Sequence, residues 1–387
     1  MLDIKRAHKL MKNKGIDALI ISSPENVFYT SGVPVNYGAS NRAAFVVYKF
    51  NPYFVVIPQD EPILIAPNSQ MATVQVHSSI KDQRTYAAGI YLKKSLKTEA
   101  KTYQLNPIQT VLEIMKEIGC TSGKIGIERD MTYDTFQKLK KILQKAVFLE
   151  CGDILDELRA IKSPEEKQKI KKATQITERA IEITMSNAKV GTTEKELAII
   201  LKSNIINQGA EYHHIDINTG EKSGIPSSPP TNRKIKKGDI VKIDAGAIYD
   251  GYGSDICRTA ILGKSDAEAS RIYSVLRQAQ QALIKSVRPG IKSSTLYSIG
   301  LREVRKGGFR NYTRRMLGHG VGIAVEEHVP TIGPSVSSII REHMVFAVEF
   351  PIYSIPEIGG ISVEDIISVT DSGYETFSNA DDKLPIL

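Results

Sequence analysis

The stretch Ile243-Asp-Ala-Gly-Ala-Ile-Tyr-Asp-Gly-Tyr-Gly-Ser-Asp-Ile-Cys-Arg-Thr259 reads as a β-hairpin with acids where apolar residues belong. Asp250-Gly251 is a strong two-residue turn signal, and Val241, Ile243, Ile256 and Ile261 supply β-branched flanks. Counting outward from the turn sets Asp244 opposite Cys257 and Asp255 opposite Gly246. The two aspartates then share one sheet face as diagonal neighbours, with Cβ atoms roughly 7–8 Å apart or less. Two carboxylates that close on a partly buried face repel each other, so one takes up a proton or a cation sits between them.

Other residues extend this pattern. Glu349 lies in the strand-like run Met344-Val-Phe-Ala-Val-Glu-Phe350, and Glu364 in Ile361-Ser-Val-Glu-Asp-Ile-Ile367. His319 sits in Leu317-Gly-His-Gly-Val-Gly322, where small neighbours let a backbone or ligand come close. Taken singly, a buried acid is usually an ion-paired structural residue and a lone histidine a satisfied core group. Taken together, Asp, Asp, His, Glu and Glu make a ligand set for two divalent ions, and oxygen dominance with one imidazole favours Mn²⁺, Co²⁺, Fe²⁺ or Zn²⁺.

The chain has 387 residues, 41% hydrophobic and 24% charged, ordinary values for a globular protein with room for two domains. Trp is absent, and three scattered cysteines exclude a disulfide framework or a Cys-based zinc site. The N-terminus lacks a continuous apolar region and no segment approaches eighteen uninterrupted apolar residues, so the expected location is cytoplasmic, with no membrane partner. The net charge of +8 is spread along helices beside glutamates, as at Glu165 and Lys169, and no nucleic-acid motif accompanies it.

The first 155 residues read as a small α/β domain. Ala18–Ser22, Ala43–Val47, Tyr53–Ile57 and Pro62–Ala66 are strand-like, whereas Ile108–Ile118 and Thr132–Ala146 have helical spacing. Ser163-Pro-Glu-Glu166 then opens a long helix with the residues of a capping box, and a second domain spans residues 156–387. Within it, Gly191, Leu197, Ile205 and Gly209 recur 99 positions later as Gly290, Leu296, Val304 and Gly308. This predicts two helix-helix-strand halves related by a pseudo-twofold axis, with a site at their junction.

The segments KKGDIVKIDAGAIYDGYGSDICRT, GHGVGIAVEEHVP, MVFAVEFPIY and GGISVED resemble the pita-bread metallopeptidase family, and Asn26–Gly32 (NVFYTSG) resembles its creatinase, prolidase and aminopeptidase P branch. The resemblance implies an N-terminal creatinase-like α/β domain that helps form a homodimer and covers the cleft. It also implies two divalent ions, Mn²⁺ or Co²⁺ ahead of Zn²⁺ or Fe²⁺, held by Asp244, Asp255, His319, Glu349 and Glu364. Asp255 and Glu364 would bridge. Metal-bound hydroxide would attack a peptide carbonyl, with Glu349 shuttling the proton to the leaving nitrogen.

This chain departs from the pattern at three places: Ser227 and Glu326 stand where the family usually has histidines, and Ser362 where it often has arginine. His214 and Glu326 are therefore expected at the substrate, as is His328, which also takes a catalytic role if a local bulge turns it inward; His213 lies beside them. Arg258 resembles the family's structural Arg-Thr pair, and Cys257 packs opposite Asp244. The expected activity is that of a dinuclear Xaa-Pro dipeptidase or aminopeptidase acting on a small peptide. The alternatives are a metal-dependent hydrolase or lyase of a small non-peptide metabolite, like creatinase or ectoine hydrolase, and a catalytically silent binding module.

Overall fold

The computed structural model describes residues 2–34, 52–87, 101–102, 106–336 and 338–387. The described chain falls into two compact units, divided between Arg159 and Ala160. Among the described residues no helix is long and apolar enough to cross a membrane.

Strands β1 (Ala18–Ile21), β2 (Phe54–Ile57) and β3 (Ile63–Pro67) of the first unit are buried along their whole length. Such continuous apolar runs suit strands covered on both faces. With β4 (Asp82–Tyr86), β5 (Lys101–Thr102), β6 (Ser122–Ile127) and β7 (Lys145–Glu150) they form a seven-stranded sheet in the order β5-β4-β3-β2-β1-β6-β7. The Ala43–Val47 strand expectation lies outside the described residues. Helix Pro107–Glu117 starts where Asn106 accepts the N–H of Ile108 at 2.9 Å, and Val111, Ile114 and Met115 fill the core beneath the sheet. The helix expected to reach Ala146 ends instead at Ile142, because Lys145 onward pairs in parallel with β6.

The second unit opens as its sequence directs. Ser163 Oγ accepts the N–H of Glu166 at 3.2 Å, and the Glu166 carboxylate accepts the Ser163 N–H at 2.7 Å, starting helix Pro164–Ser186. Helix Glu194–Asn207 and strands β8 (Glu211–Thr219), β9 (Ile240–Tyr249), β10 (Tyr252–Gly253) and β11 (Ile256–Ile261) complete one half. The other half repeats the helices as Ala267–Lys285 and Ser293–Lys306, followed by β12 (Gly318–Gly320), β13 (Glu327–Thr331), β14 (Val345–Ile355), β15 (Gly359–Val369) and β16 (Tyr374–Thr376). The four residues Leu197, Ile205, Leu296 and Val304 have no exposed surface.

The first sheet runs β10-β9-β11 with β8 on β9, and the second runs β13-β12-β14-β15-β16. They meet along β11 and β15. Thr259 Oγ1 donates to the Ser362 carbonyl at 2.8 Å and accepts its N–H at 3.1 Å, while Arg258 donates to the Glu364 carbonyl at 2.6 Å. Both sheets are thereby fixed against each other at the strand positions that carry the acids.

Candidate metal centre

The opening hairpin takes the register that its turn demands. Asp250 and Gly251 have φ of 47° and 81°, the left-handed pair of a type I′ turn, and Tyr252 faces Tyr249 while Cys257 faces Asp244. Asp255 and Asp244 consequently converge on one imidazole: His214 Nε2 lies 3.2 Å from Oδ1 of each. The Asp244 contact is a hydrogen bond, whereas Asp255 Oδ1, fully buried, has no hydrogen-bond partner among the described residues. Gly246 makes room for this approach, since a Cβ there would stand 2.2 Å from the Ser254 carbonyl oxygen and 3.0 Å from His214 Cε1.

The second sheet delivers the remaining acids to the same point. Glu349 on β14 stands directly across from Glu364 on β15. His319 on β12 has its Nε2 3.8 Å from Asp255 Oδ2 and 3.7 Å from Glu364 Oε1. Its Nδ1 lies 3.2 Å from the Gly320 carbonyl, and donation there leaves the Nε2 lone pair facing the carboxylates, the tautomer a metal ligand uses. Gly318 lets β12 press against β14, because a Cβ would meet the Ala347 carbonyl oxygen at 2.3 Å.

Two metal-ligand groupings result, His214–Asp244–Asp255 and Asp255–His319–Glu364, each with donor atoms mutually within 4.8 Å, and Asp255 belongs to both. Burial raises the Glu364 carboxyl well above its ordinary value, and Asp255, Glu349 and Asp244 add to that rise. Burial likewise raises Glu349, against the pull of Arg314, and Asp244, against the pull of His214. Asp255 goes the other way: burial works upward, but the His214 and His319 imidazoles outweigh it. For His214, burial opposes the charge, yet Asp255 and Asp244 hold the ring well above its usual value. A cluster of crowded carboxylates containing an unsatisfied buried oxygen fits a site for divalent cations.

The residues expected at the substrate are distributed differently. His213 and His214 stack edge to face with Nδ1 atoms 3.1 Å apart. His214 therefore sits among the expected ligands themselves, a placement that the β8 bulge between Tyr212 and Ile215 creates. Glu326 is exposed but acts on His213 through its charge. Although β13 has a register shift opposite β12, His328 stays exposed, and the inward residue is Glu327, paired with Lys162 at 2.8 Å. Ser227 donates to Asp216 at 2.6 Å, and Asp216 faces Asp244 across β8 and β9.

Three residues went unrecognised in the sequence. Arg314 forms an ion pair with Glu349 Oε2, donates to the Met316 carbonyl at 3.0 Å, and lies 5.9 Å from the Tyr353 ring centroid. Tyr353 Oη is 3.5 Å from Glu349 Oε1. Lys242 shares the ring of Tyr353. The alternation Glu349, Pro351, Tyr353 along β14 was a usable signal for the tyrosine; Arg314 precedes β12 in a segment without helix or strand periodicity. Behind the site Arg258 donates to Glu178 at 2.7 Å and Asp365 at 2.9 Å, and Arg277 reaches the other oxygen of Asp365 at 2.9 Å, fixing β15 from its far side. Cys257 is buried, and burial beside Asp244 raises its thiol pKa well above the usual range, so it packs as a neutral group.

Comparison with known proteins agrees with this geometry. Residues 168–371 match the model of metallopeptidase family M24, and residues 4–161 match the creatinase/prolidase N-terminal domain. The Xaa-Pro dipeptidase of Pyrococcus furiosus is 27% identical over 384 residues, covering 98% of this chain and 99% of its own. The crystal structure of the prolidase from Pyrococcus horikoshii superposes with a TM-score of 0.82 at 27% identity, covering 98% of this chain and 99% of that one. An Xaa-Pro dipeptidase from Bacillus anthracis gives 0.84 at 25% identity, covering 99% of each chain. With more than half of its length matched to the family model and its acids gathered at the junction of two sheets, the chain belongs to metallopeptidase family M24.

Proposed function

We propose that the protein is an Xaa-Pro peptidase with two divalent ions held by Asp244, Asp255, His319, Glu349 and Glu364. The observation that carries the reading is the membership of Asp255 in both ligand groupings, which would let one carboxylate serve both ions. When bound, the ions supply Lewis-acid polarisation of the scissile carbonyl and a nucleophile at neutral pH. Mn²⁺ or Co²⁺ is preferred on the oxygen-rich donor set. Residues 1–155 form the N-terminal domain of this reading and residues 156–387 the catalytic domain. A homodimer and a cytoplasmic location belong to it as well; they rest on the family resemblance and the sparse cysteines.

The chain's own residues divide the work. Glu349, half-buried and raised in pKa, takes the proton at its carboxylate and returns it to the leaving nitrogen, a role that needs a group poised near the working pH. Arg314 beside it orients the carboxylate and limits how far its pKa rises. His213, Glu326 and the exposed His328 line the outer approach, where substrate side chains arrive. Arg258 and Asp365 carry no chemistry and hold β15 so that Glu364 faces Glu349.

Release of proline or of the N-terminal residue from a panel of Xaa-Pro dipeptides and tripeptides, in the presence of Mn²⁺ or Co²⁺, tests the reading. Absence of turnover across the whole panel would sink it. The second reading, hydrolysis of a small non-peptide metabolite, is favoured by Ser227, whose hydroxyl is turned onto Asp216. Turnover of a metabolite amide with none of any peptide would decide for it.

A further inference from the structure

Two lysines are buried among the described residues, Lys162 and Lys242, and they are treated differently. Lys162 meets the carboxylate of Glu327 at 2.8 Å. Lys242 has no exposed surface, yet among the described residues its ammonium meets only the Ile225 carbonyl at 3.0 Å and the Tyr353 ring, whose centroid is 4.7 Å away. Among the described residues no carboxylate lies within ion-pair distance of it. Removing an ammonium from water is costly unless a counter-charge accompanies it; Asp244 acts on this one through space, but no carboxylate touches it.

The place of this ammonium follows from strand geometry. Lys242 is two residues before Asp244 on β9, and Ser362 is two residues before Glu364 on β15, so each shares a face with an acid of the site. Thr259, the cross-strand partner of Lys242, bonds both backbone groups of Ser362. Ser362 Oγ is buried and has no hydrogen-bond partner among the described residues. Among the described residues, a cation that no carboxylate touches and a hydroxyl without a hydrogen-bond partner therefore flank the acids. Tyr353 connects them to the chemistry, since its hydroxyl touches Glu349 while its ring carries Lys242. Arg314 cannot substitute, because its guanidinium is committed to Glu349 and to the Met316 carbonyl.

We propose that Lys242 binds the free C-terminal carboxylate of the substrate, with the Ser362 hydroxyl donating a second hydrogen bond to it. The assignment rests on the Xaa-Pro reading above and narrows it to dipeptides. Lys242 and Asp244 stand two residues apart on one strand face, about 7 Å, which leaves room for the single residue of about 3.5 Å that follows the scissile bond of a dipeptide. Entry requires only that the carboxylate replace the Ile225 carbonyl on the ammonium. Ile225 is 46% exposed; Glu194 holds the neck of its loop by accepting the N–H groups of Thr219 and Thr231, each at 2.9 Å, and Ser227 holds its outer part by donating to Asp216 at 2.6 Å.

The test compares kcat/KM for Ala-Pro with that for its C-terminal amide in the Mn²⁺-loaded wild type, Lys242→Met and Lys242→Arg. The wild type is expected to prefer the acid by roughly 10- to 100-fold, the worth of a charge-assisted hydrogen bond, and K242M to bring the ratio near one through KM for the acid. K242R retains much of the preference. Thermal stabilisation by L-proline over L-prolinamide, present in the wild type and lost in K242M, gives a readout free of turnover. A wild type that cleaves acid and amide equally, or a K242M that keeps the preference, overturns the lysine assignment while leaving the peptidase reading intact. A wild type that cleaves neither overturns both. The wild-type ratio decides even if the methionine variant does not fold.

Discussion

The two halves of the second unit agree in their helices and part company in their strands. Helix Glu194–Asn207 and helix Ser293–Lys306 have the same length, the same 99-residue offset and the same pair of fully buried apolar positions. Even at the first helical position the chemistry already differs. Glu194 is a buried carboxylate clamping Thr219 and Thr231, where the Ser293 hydroxyl donates to the Val336 carbonyl and accepts from Ser338. Burial raises the Glu194 carboxyl, but the Thr231 hydroxyl and N–H together with Lys222 outweigh it and leave its pKa lowered. In the strands the first half gives two aspartates around one tight turn, and the second gives a histidine on a three-residue strand and two glutamates side by side. The repetition therefore maintains packing, and each half adds its own acids on an antiparallel strand pair.

Removing the residue common to both ligand groupings should break this division most severely. Asp255→Ala is expected to lower the metal content measured by mass spectrometry and to cut peptidase activity roughly 10³-fold or more, since neither grouping is complete without it. A metal content equal to wild type would show that the first half holds no ion through this carboxylate. Glu349→Gln asks more of the second half alone. The amide keeps an oxygen donor and loses the proton acceptor, so kcat should fall roughly 10²- to 10⁴-fold with most of the metal retained. A loss in KM with kcat intact would transfer the proton from Glu349 to another group.

Much of this comparison was legible in the sequence where a local rule fixes geometry. Asp250-Gly251 fixes the hairpin register, so the common face of Asp244 and Asp255 followed from counting. Ser163 and Glu166 announced the helix that opens the second unit. What escaped was set by irregularity or by distant partners. The bulge between Tyr212 and Ile215 turns His214 onto the aspartates, and no alternation rule predicts the face after a bulge. On β13 the inward position went to Glu327, held by Lys162 from 165 residues away, which left His328 outside. The helix running to Ala146 lost to a parallel pairing with β6, a long-range contact that helical spacing cannot register.

A smaller effect separates the halves through pH. Glu364, Glu349 and Asp244 have carboxyl pKa values raised by burial, so the folded protein binds their protons more tightly than the unfolded chain does. Their contribution favours the folded state at low pH and is lost as pH rises from the ordinary Glu value of 4.5 upward. The raised His214 acts in the same sense above 6.5, whereas the lowered Asp255 contributes a constant amount above its ordinary 3.8 and leaves the slope in this range unchanged. Chelator-treated protein should therefore lose on the order of 1–2 kcal/mol of stability in urea between about pH 5 and 8, and saturating Mn²⁺ should remove that slope. A chelated protein whose stability rises over that range would mean that the acids are not crowded.

The least effect on chemistry is expected where the halves are alike, which makes the repeat itself testable. Leu197 and Leu296 hold corresponding positions, both without exposed surface, on helices of equal length. If packing is what the two halves share, Leu197→Ala and Leu296→Ala should each cost about 2–5 kcal/mol and agree with each other more closely than two arbitrary core leucines would. Neither side chain belongs to the site, so the activity per bound metal ion of the folded fraction should stay within about twofold of wild type in both. Denaturant midpoints give the first quantity and active-site-normalised rates the second. A large loss of normalised activity in one variant alone would show that the helix pair of that half positions the acids, and that the two halves differ in their packing as well as in their strands.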